Sequence, residues 1–393
     1  MDVLFLSNSY YPQMSGVSIV VRYLAEGLVS HGHKVRVATR LIRGCLPEEV
    51  LNGVRILRFN IDKVGLFKYT GDIKQYRQFL ISSSQDVVIF ECSQCVTTDL
   101  AIKVFDQISG KKIFHPHGFS SVALKPFRWD QNLHLTVRNT IRGLWAKCYY
   151  SFWFSQIAGK FDGSLLLSEI DSSRQYLEKL GQKIFVLWNA ADDVFFGPTD
   201  KVKVAAIDRL EKPYLLSVAN YQSYKNQLEI VRQFYKCGRD DIAMVFIGRS
   251  ENRYYYNIQK EVYRLNALYG SKDVLMLTNV DRSLIPDIVG HAKLYIVASR
   301  FEEFSISLIE AMGKGVPFVS TNVGNARILP GGITVNTYDD ISLVINYLLE
   351  NHELYRRLSE AGREYTLRHC RKDMAVSTLE QYLTELLKNT ETE

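Results

Sequence analysis

Short apolar runs recur along the chain at 3–6, 35–38, 56–59, 87–90, 113–115, 164–167 and 185–187. A second series follows at 214–218, 244–247, 274–277, 294–297 and 317–320. These runs are apolar nearly throughout rather than alternating, and longer helical patterns separate them. Strands of that kind are buried on both faces, so the pattern predicts parallel sheets with helices on either side. The first helix is marked by Val17, Val20, Val21, Leu24 and Leu28 on one stripe, with Gly32 as its stop. Between 189 and 212 the pattern breaks. Asn189-Ala190-Ala191-Asp192-Asp193 is turn-like, and Gly197-Pro198 ends any helix. The chain thus reads as two doubly wound α/β domains, 1–188 and 189–373, followed by an amphipathic helix within 374–393.

Composition narrows the class. With 393 residues, 47% apolar and 23% charged, the chain is globular and has room for two or three domains. No apolar run reaches the roughly 18 residues of a membrane span. The opening Met1-Asp2-Val3-Leu4 lacks a basic segment and reads as a strand rather than a signal peptide, so a cytoplasmic location is expected. Six scattered cysteines without a secretory signal argue against a disulfide framework. Cys92-Ser93-Gln94-Cys95 has redox-pair spacing, but two packing or loop thiols fit better. Charge is uneven. Residues 1–190 hold 23 basic against 15 acidic side chains, or +8, and 191–393 hold 25 against 27, or −2. A polyanion or anionic membrane surface suits that excess; it is too mild to call for nucleic acid.

In parallel α/β folds, ligands bind at the carboxyl ends of strands. The loop after the first strand, Ser7 to Gly16, is not GxGxxG, which disfavours a dinucleotide fold. It ends in one glycine at a helix start, where amides suit a phosphate as well as a plain loop–helix junction. The segment 299–321 carries more. Glu302 lies in a loop, and Glu310 lies in the helix that Ser305, Ile306 and Ser307 open. Free amides at a positive helix end suit a diphosphate, and flanking carboxylates suit sugar and ribose hydroxyls. The competing reading is a capping box of Ser307 with Glu310.

Glu302-x7-Glu310 followed by Ala311-Met312-x-x-Gly315-x-Pro317 closely resembles the retaining glycosyltransferases of family 4, within glycosyl transferases group 1, which have the GT-B fold. The likeness spans nearly the whole chain. It includes Pro12…Ser15-Gly16, the run 32–39, His117-Gly118, Phe161-Asp162-Gly163…Leu167-Ser168-Glu169, Asn189-Ala190…Phe195, Val218…Lys225 and Val245-Phe246-Ile247-Gly248. It implies two Rossmann-like domains facing across a cleft, the first acceptor-binding and the second donor-binding, with the last helix returning to the first. A nucleotide-sugar would be the donor, UDP-linked by preference and GDP-linked otherwise, with no cofactor and no metal. Glu310 would hold the ribose, and Glu302 the donor sugar. The Ser305 and Ile306 amides would lie beside the phosphates, with Gly16 giving close approach. Lys225 would neutralise the leaving diphosphate, and His117 would face the transferring sugar. His115, by strand alternation, is the structural neighbour.

Two departures stand out. Asn220 replaces the usual arginine of the phosphate clamp, leaving Lys225 alone or with Arg249 as substitute. Glu303 and Ser305 stand where glycine is common. Residues 125–160 combine six Lys and Arg and one acid with eight aromatics. Arg128, Trp129, Arg138, Arg142 and Trp145 there suit a membrane or acceptor surface, against the alternative of a helix whose aromatics are buried. The resulting expectation is a metal-independent, retaining hexosyl- or N-acetylhexosaminyltransferase. It would act on a glycan or lipid-linked acceptor at the inner membrane face, in bacterial surface polysaccharide or glycoconjugate synthesis. The alternatives are a non-catalytic sugar-nucleotide-binding relative and another GT-B enzyme such as an epimerase or phosphorylase.

Overall fold

The computed structural model describes residues 1–13, 15–65, 68–119, 133–200 and 212–388, with the side chains of 133–135 and 139 excepted. The chain divides into two compact units: Met1–Trp188 with Lys372–Glu393, and Asn189–Arg371.

In the first unit the strands are β1 (Asp2–Leu6), β2 (Lys34–Arg40), β3 (Glu48–Leu51), β4 (Val54–Phe59), β5 (Ile61–Lys63), β6 (Tyr69–Gly71), β7 (Val87–Glu91), β8 (Lys111–His115), β9 (Gly163–Leu166) and β10 (Ile184–Val186). Eight of them form one sheet in the order β10-β9-β8-β7-β1-β2-β4-β3, and β5 pairs with β6 separately. Every neighbour in the large sheet is parallel except β3 with β4. The apolar runs of β1 and β7 account for this: Val3–Leu6 and Val87–Phe90 are wholly buried, as strands covered on both faces must be. The β3 edge is different. Glu48 and Val50 are exposed, and Arg55 meets the Glu48 carboxylate at 2.6 Å. Charge on an edge discourages pairing with another chain.

The Gly16–Ser30 helix opens on a capping box between Ser15 and Ser18, which satisfies donors that a bare helix start leaves open. Val20, Val21, Leu24 and Leu28 are buried and Val17 is half-buried. The chain leaves the helix through Gly32 at φ +85°, a conformation glycine adopts without a Cβ penalty. The Lys372–Lys388 helix packs on this one. Val376 fills the space where a side chain at Gly27 would stand. Glu380 reaches His31 and His33 at 2.6 and 2.7 Å, and the Tyr382 ring lies against Phe185 of β10.

The second unit carries β11 (Tyr214–Val218), β12 (Ala243–Gly248), β13 (Val274–Thr278), β14 (Leu294–Val297), β15 (Phe318–Thr321) and β16 (Gly332–Val335). They form one parallel sheet in the order β13-β12-β11-β14-β15-β16. The direction of winding reverses between β11 and β14, and in the first unit between β1 and β7. Loops leaving such a switch point diverge and open a crevice for a ligand.

Candidate functional site

In the second unit, the loops after β11 and β14 meet at the switch point. Lys225 follows β11, and its Nζ donates to Glu302 Oε1 at 2.5 Å; Glu302 follows β14. The Ser299 hydroxyl donates to the same oxygen at 2.7 Å. Lys225 is 22% exposed and Glu302 12%. The pair is therefore sheltered enough for charge to matter, yet open enough for the lysine to exchange partners. Arg300 N donates to Tyr224 O at 2.8 Å and ties the two loops together.

Glu310 lies in the Ile306–Gly313 helix on the wall of a cavity of about 450 Å³. Val194, Phe195, Val218, Val280, Ile285 and Pro286 line that cavity with apolar surface, and Asp192, Arg282 and Ser283 supply the polar edge. Burial pushes the Glu310 carboxyl up to about 7, with Arg282 opposing and Asp192 reinforcing the rise. The fully buried Tyr295 of β14 has Ser307, Glu310 and Glu302 around its hydroxyl, which places the two glutamates in one neighbourhood. A flat apolar ring could enter this cavity with a carboxylate at its rim, the usual composition of a small-molecule site. Asp192, Arg282 and Ser283 are absent from the sequence-based set. The fold brings them in from separate loops, and no local motif announces them.

The Glu302 loop is braced by the loop after β15. Gly324 sits at φ +48°, and a Cβ there would meet the carbonyl oxygens of Glu302 and Glu303 at 2.6 and 2.7 Å. Asn325 Oδ1 accepts from Ser305 N at 2.9 Å, and Asn325 N donates to Glu303 O at 3.3 Å. This corrects the Ser305 assignment: its amide is occupied by Asn325, and the first-turn amides of Ile306 and Ser307 are the ones at the helix mouth. The capping box of Ser307 with Glu310 does not form either. The cap residue is Ser305, and no side chain closes it. Glu303 is half-buried. Asn220 and Arg249 are both exposed. Each lies two residues beyond the paired Val218 and Ile247 of β11 and β12.

In the first unit, Glu91 ends β7 and His115 ends β8, and the two are register partners. His117 follows at φ +53° and Gly118 at φ +81°; the left-handed conformation is costly for a non-glycine residue and needs support from its surroundings. The His117 ring lies over that of His115, with centroids 3.8 Å apart. His117 Nε2 donates to Glu91 Oε2 at 2.6 Å, and His115 Nδ1 stands 3.1 Å from the same oxygen. The three residues hold donor atoms within 4.8 Å of one another. A 2.6 Å separation is that of a charge-assisted hydrogen bond. Two ligands each about 2 Å from one tetrahedral ion stand further apart. The Glu91–His117 contact is therefore a hydrogen bond, while Glu91 Oε1 and both ring nitrogens of His115 have no hydrogen-bond partner. Gly16 has open space where a side chain would begin. Burial pushes the Cys92 and Cys95 thiols up, opposite to what a reactive redox pair requires.

Arg128 and Trp129 lie outside the described residues. On the Leu133–Cys148 helix and its continuation, Val137, Ile141, Leu144, Trp145 and Phe152 are exposed. So are Arg138, Arg142 and Lys147. Tyr149, Tyr150 and Phe154 are instead buried in the core. The aromatics thus divide between the two readings of this segment. Among the described residues no helix is long and apolar enough to cross a membrane.

Residues 200–365 match the family described as "Glycosyl transferases group 1". The chain is 21% identical over 391 residues to N-acetyl-alpha-D-glucosaminyl L-malate synthase of Bacillus anthracis, covering 96% of each. Among solved structures, sucrose-phosphate synthase from Thermosynechococcus elongatus superposes with a TM-score of 0.77 at 15% identity, over 99% of both chains. Anabaena Alr3699/HepE, solved in complex with UDP and glucose, gives 0.70 at 14% identity, over 98% of this chain and all of the other.

Proposed function

We propose that the chain, whose residues 200–365 match the group 1 glycosyl transferases and which has the GT-B fold, is a retaining, metal-independent enzyme of family 4. It moves a hexosyl or N-acetylhexosaminyl group from a nucleotide-sugar, UDP-linked by preference, to a glycan or lipid-linked acceptor. The setting is bacterial surface polysaccharide or glycoconjugate synthesis at the cytoplasmic face of the membrane. The observation that carries this reading is Glu310 on the rim of the 450 Å³ apolar cavity. A base fits among Val194, Phe195 and Val218, and its ribose hydroxyls donate to the carboxylate. The HepE complex with UDP and glucose favours uridine.

Transfer builds negative charge on the departing diphosphate. Lys225 leaves Glu302 to meet that charge, and the Ile306 and Ser307 amides add the positive helix end. Arg249 takes the place of the absent clamp arginine. Glu302, released, accepts from donor-sugar hydroxyls, and the role given to His117 is contact with the transferring sugar. No side chain is assigned as nucleophile, because the diphosphate itself serves as the base.

The test is a thermal-shift panel of UDP-, GDP- and ADP-sugars without added metal. Binding to the native state alone raises stability by mass action. A rise with one nucleotide class that disappears in Glu310→Ala supports the reading; no rise with any of them in folded protein overturns it.

The exposed stripe favours a lipid-linked acceptor. Val137, Ile141, Leu144, Trp145 and Phe152 recur at helical spacing, Arg138, Arg142 and Lys147 flank them, and 133–160 holds no acid. Such a face lies in a lipid interface with its arginines among anionic headgroups. Flotation with vesicles containing anionic lipid should carry the protein up at low salt. Failure at every salt concentration removes the membrane part alone.

A further inference from the structure

We propose that Glu91 is a positioning residue for His117: its carboxylate accepts a hydrogen bond from Nε2–H and leaves Nδ1 as the lone-pair nitrogen that receives a sugar hydroxyl. The inference rests on the proposed reading of His117 as the group facing the transferring sugar.

The argument begins with where the acid stands. Val87-Val88-Ile89-Phe90 is apolar and wholly buried, and Glu91 closes that strand with no exposed surface. A carboxylate buried this way is costly unless its charge is met by hydrogen bonds. His117 meets it with a hydrogen bond at Oε2, and His115 stands 3.1 Å from the same oxygen without bonding to it, while Oε1 has no hydrogen-bond partner. Register places His115 beside Glu91, and Cys92 N to His115 O at 2.9 Å extends the ladder one step further. The left-handed turn at His117 then folds its ring back over His115 and onto Glu91.

The 2.6 Å contact fixes the proton. An ionised carboxylate can only accept, so Nε2 carries the hydrogen. Glu91 stays ionised: burial pushes its carboxyl up, but His115 and the hydrogen bond from His117 outweigh this and hold it below its ordinary value. Burial pushes His117 below its ordinary value, and His115 adds to that, against Glu91 and Asp171. The ring is therefore neutral near pH 7, with one N–H only, and that N–H is spent on Glu91. Nδ1 is left to accept. A carboxylate behind an imidazole also steadies any positive charge the ring takes on, the logic by which a buried acid orients a catalytic histidine.

Three groups on three elements act on the charge of the His117 ring: Glu91 on β7, His115 on β8 and, through its field alone, Asp171 in the loop after β9. The test reads the ring directly. The full chain is labelled with ¹⁵N in its eight histidines, and His117 is assigned by its loss in His117→Gln. The expected spectrum shows protonated Nε2 and unprotonated Nδ1 at pH 7 and above. In Glu91→Gln the tautomers mix, and the ring protonates at lower pH, since the carboxylate that favours the cation is gone. With the sugar nucleotide that the stability panel selects, Glu91→Gln lowers kcat about 10- to 100-fold with KM nearly unchanged. The acid limb of its pH profile moves down, and Glu91→Asp recovers part of the rate. A wild-type ring protonated at Nδ1 overturns the proposal. So does an unchanged tautomer in Glu91→Gln, which marks Glu91 as structural only. If no sugar nucleotide binds, the donor reading fails by itself, and the spectrum still decides what Glu91 does to His117.

Discussion

Replacing Glu310 by glutamine should strengthen the fold and weaken the donor site at once. The carboxyl is held at about 7 chiefly by burial, against about 4.5 in an unfolded chain. A folded-state value above the unfolded one means that the native protein binds the extra proton. The native state therefore loses stability as pH rises from about 4.5 to about 7, and the loss persists above that. Every tenfold change in proton affinity between the two states corresponds to about 1.4 kcal/mol, which sets a ceiling of about 3 kcal/mol. Water in the 450 Å³ cavity lowers this, and about 1–3 kcal/mol is expected at pH 8. For a unit of this size that corresponds to a rise in melting temperature of several degrees. The assay is paired thermal melts of wild type and Glu310→Gln at pH 5 and pH 8. The variant should match wild type at pH 5 and exceed it at pH 8, while its stability gain from the sugar nucleotide falls. Equal curves at both pH values would refute a carboxyl raised by burial. A variant less stable at pH 8 would show instead that Glu310 is a paired anion, with Arg282 its partner.

Lys225→Ala should slow transfer about 10²- to 10³-fold with a smaller change in KM, as expected for charge stabilisation realised on the departing diphosphate; initial rates over a donor series decide it. Gly324→Ala pushes a Cβ into the carbonyls of Glu302 and Glu303, so it should cost about 1–3 kcal/mol and displace Glu302. Unchanged melting temperature and turnover would show that the brace is dispensable. Asn220→Arg should increase the stability gain from the sugar nucleotide and Arg249→Ala should reduce it, and equal gains in all three proteins would exclude both positions from the phosphates. His117→Ala should abolish transfer and also lower the melting temperature, since Glu91 loses the hydrogen bond that meets its buried charge, and full activity would remove His117 from the reaction.

The long apolar strands were legible because burial on both faces leaves no polar alternation. Each of the twelve runs overlaps a strand to within a few residues. The strands that escaped are short or lie at margins. β3 reads Glu-Glu-Val-Leu, β5 and β6 have three residues each, and β16 opens on glycine. Their pairing depends on a neighbour rather than on their own pattern. At the site, Glu302 and Glu310 stood out by local spacing, and Lys225 by the resemblance alone. The occupation of the Ser305 amide by Asn325, 20 residues away, did not, because only the folded loop after β15 brings them together. The Glu91 contact left one sign in the sequence, an acid ending an otherwise apolar strand. Its meaning emerged from the register of β7 with β8.

The first unit is discontinuous: Asn189–Arg371 is inserted between Trp188 and Lys372. During synthesis the inserted unit is complete in sequence while its host still lacks a helix. That helix supplies Val376 opposite Gly27, Glu380 for His31 and His33, and Tyr382 against Phe185. Until it arrives, part of the Gly16–Ser30 surface and the β10 margin stay uncovered on the nascent chain. A nonsense mutation near codon 372 would therefore injure the unit at the opposite end of the gene, while sparing the unit encoded next to it.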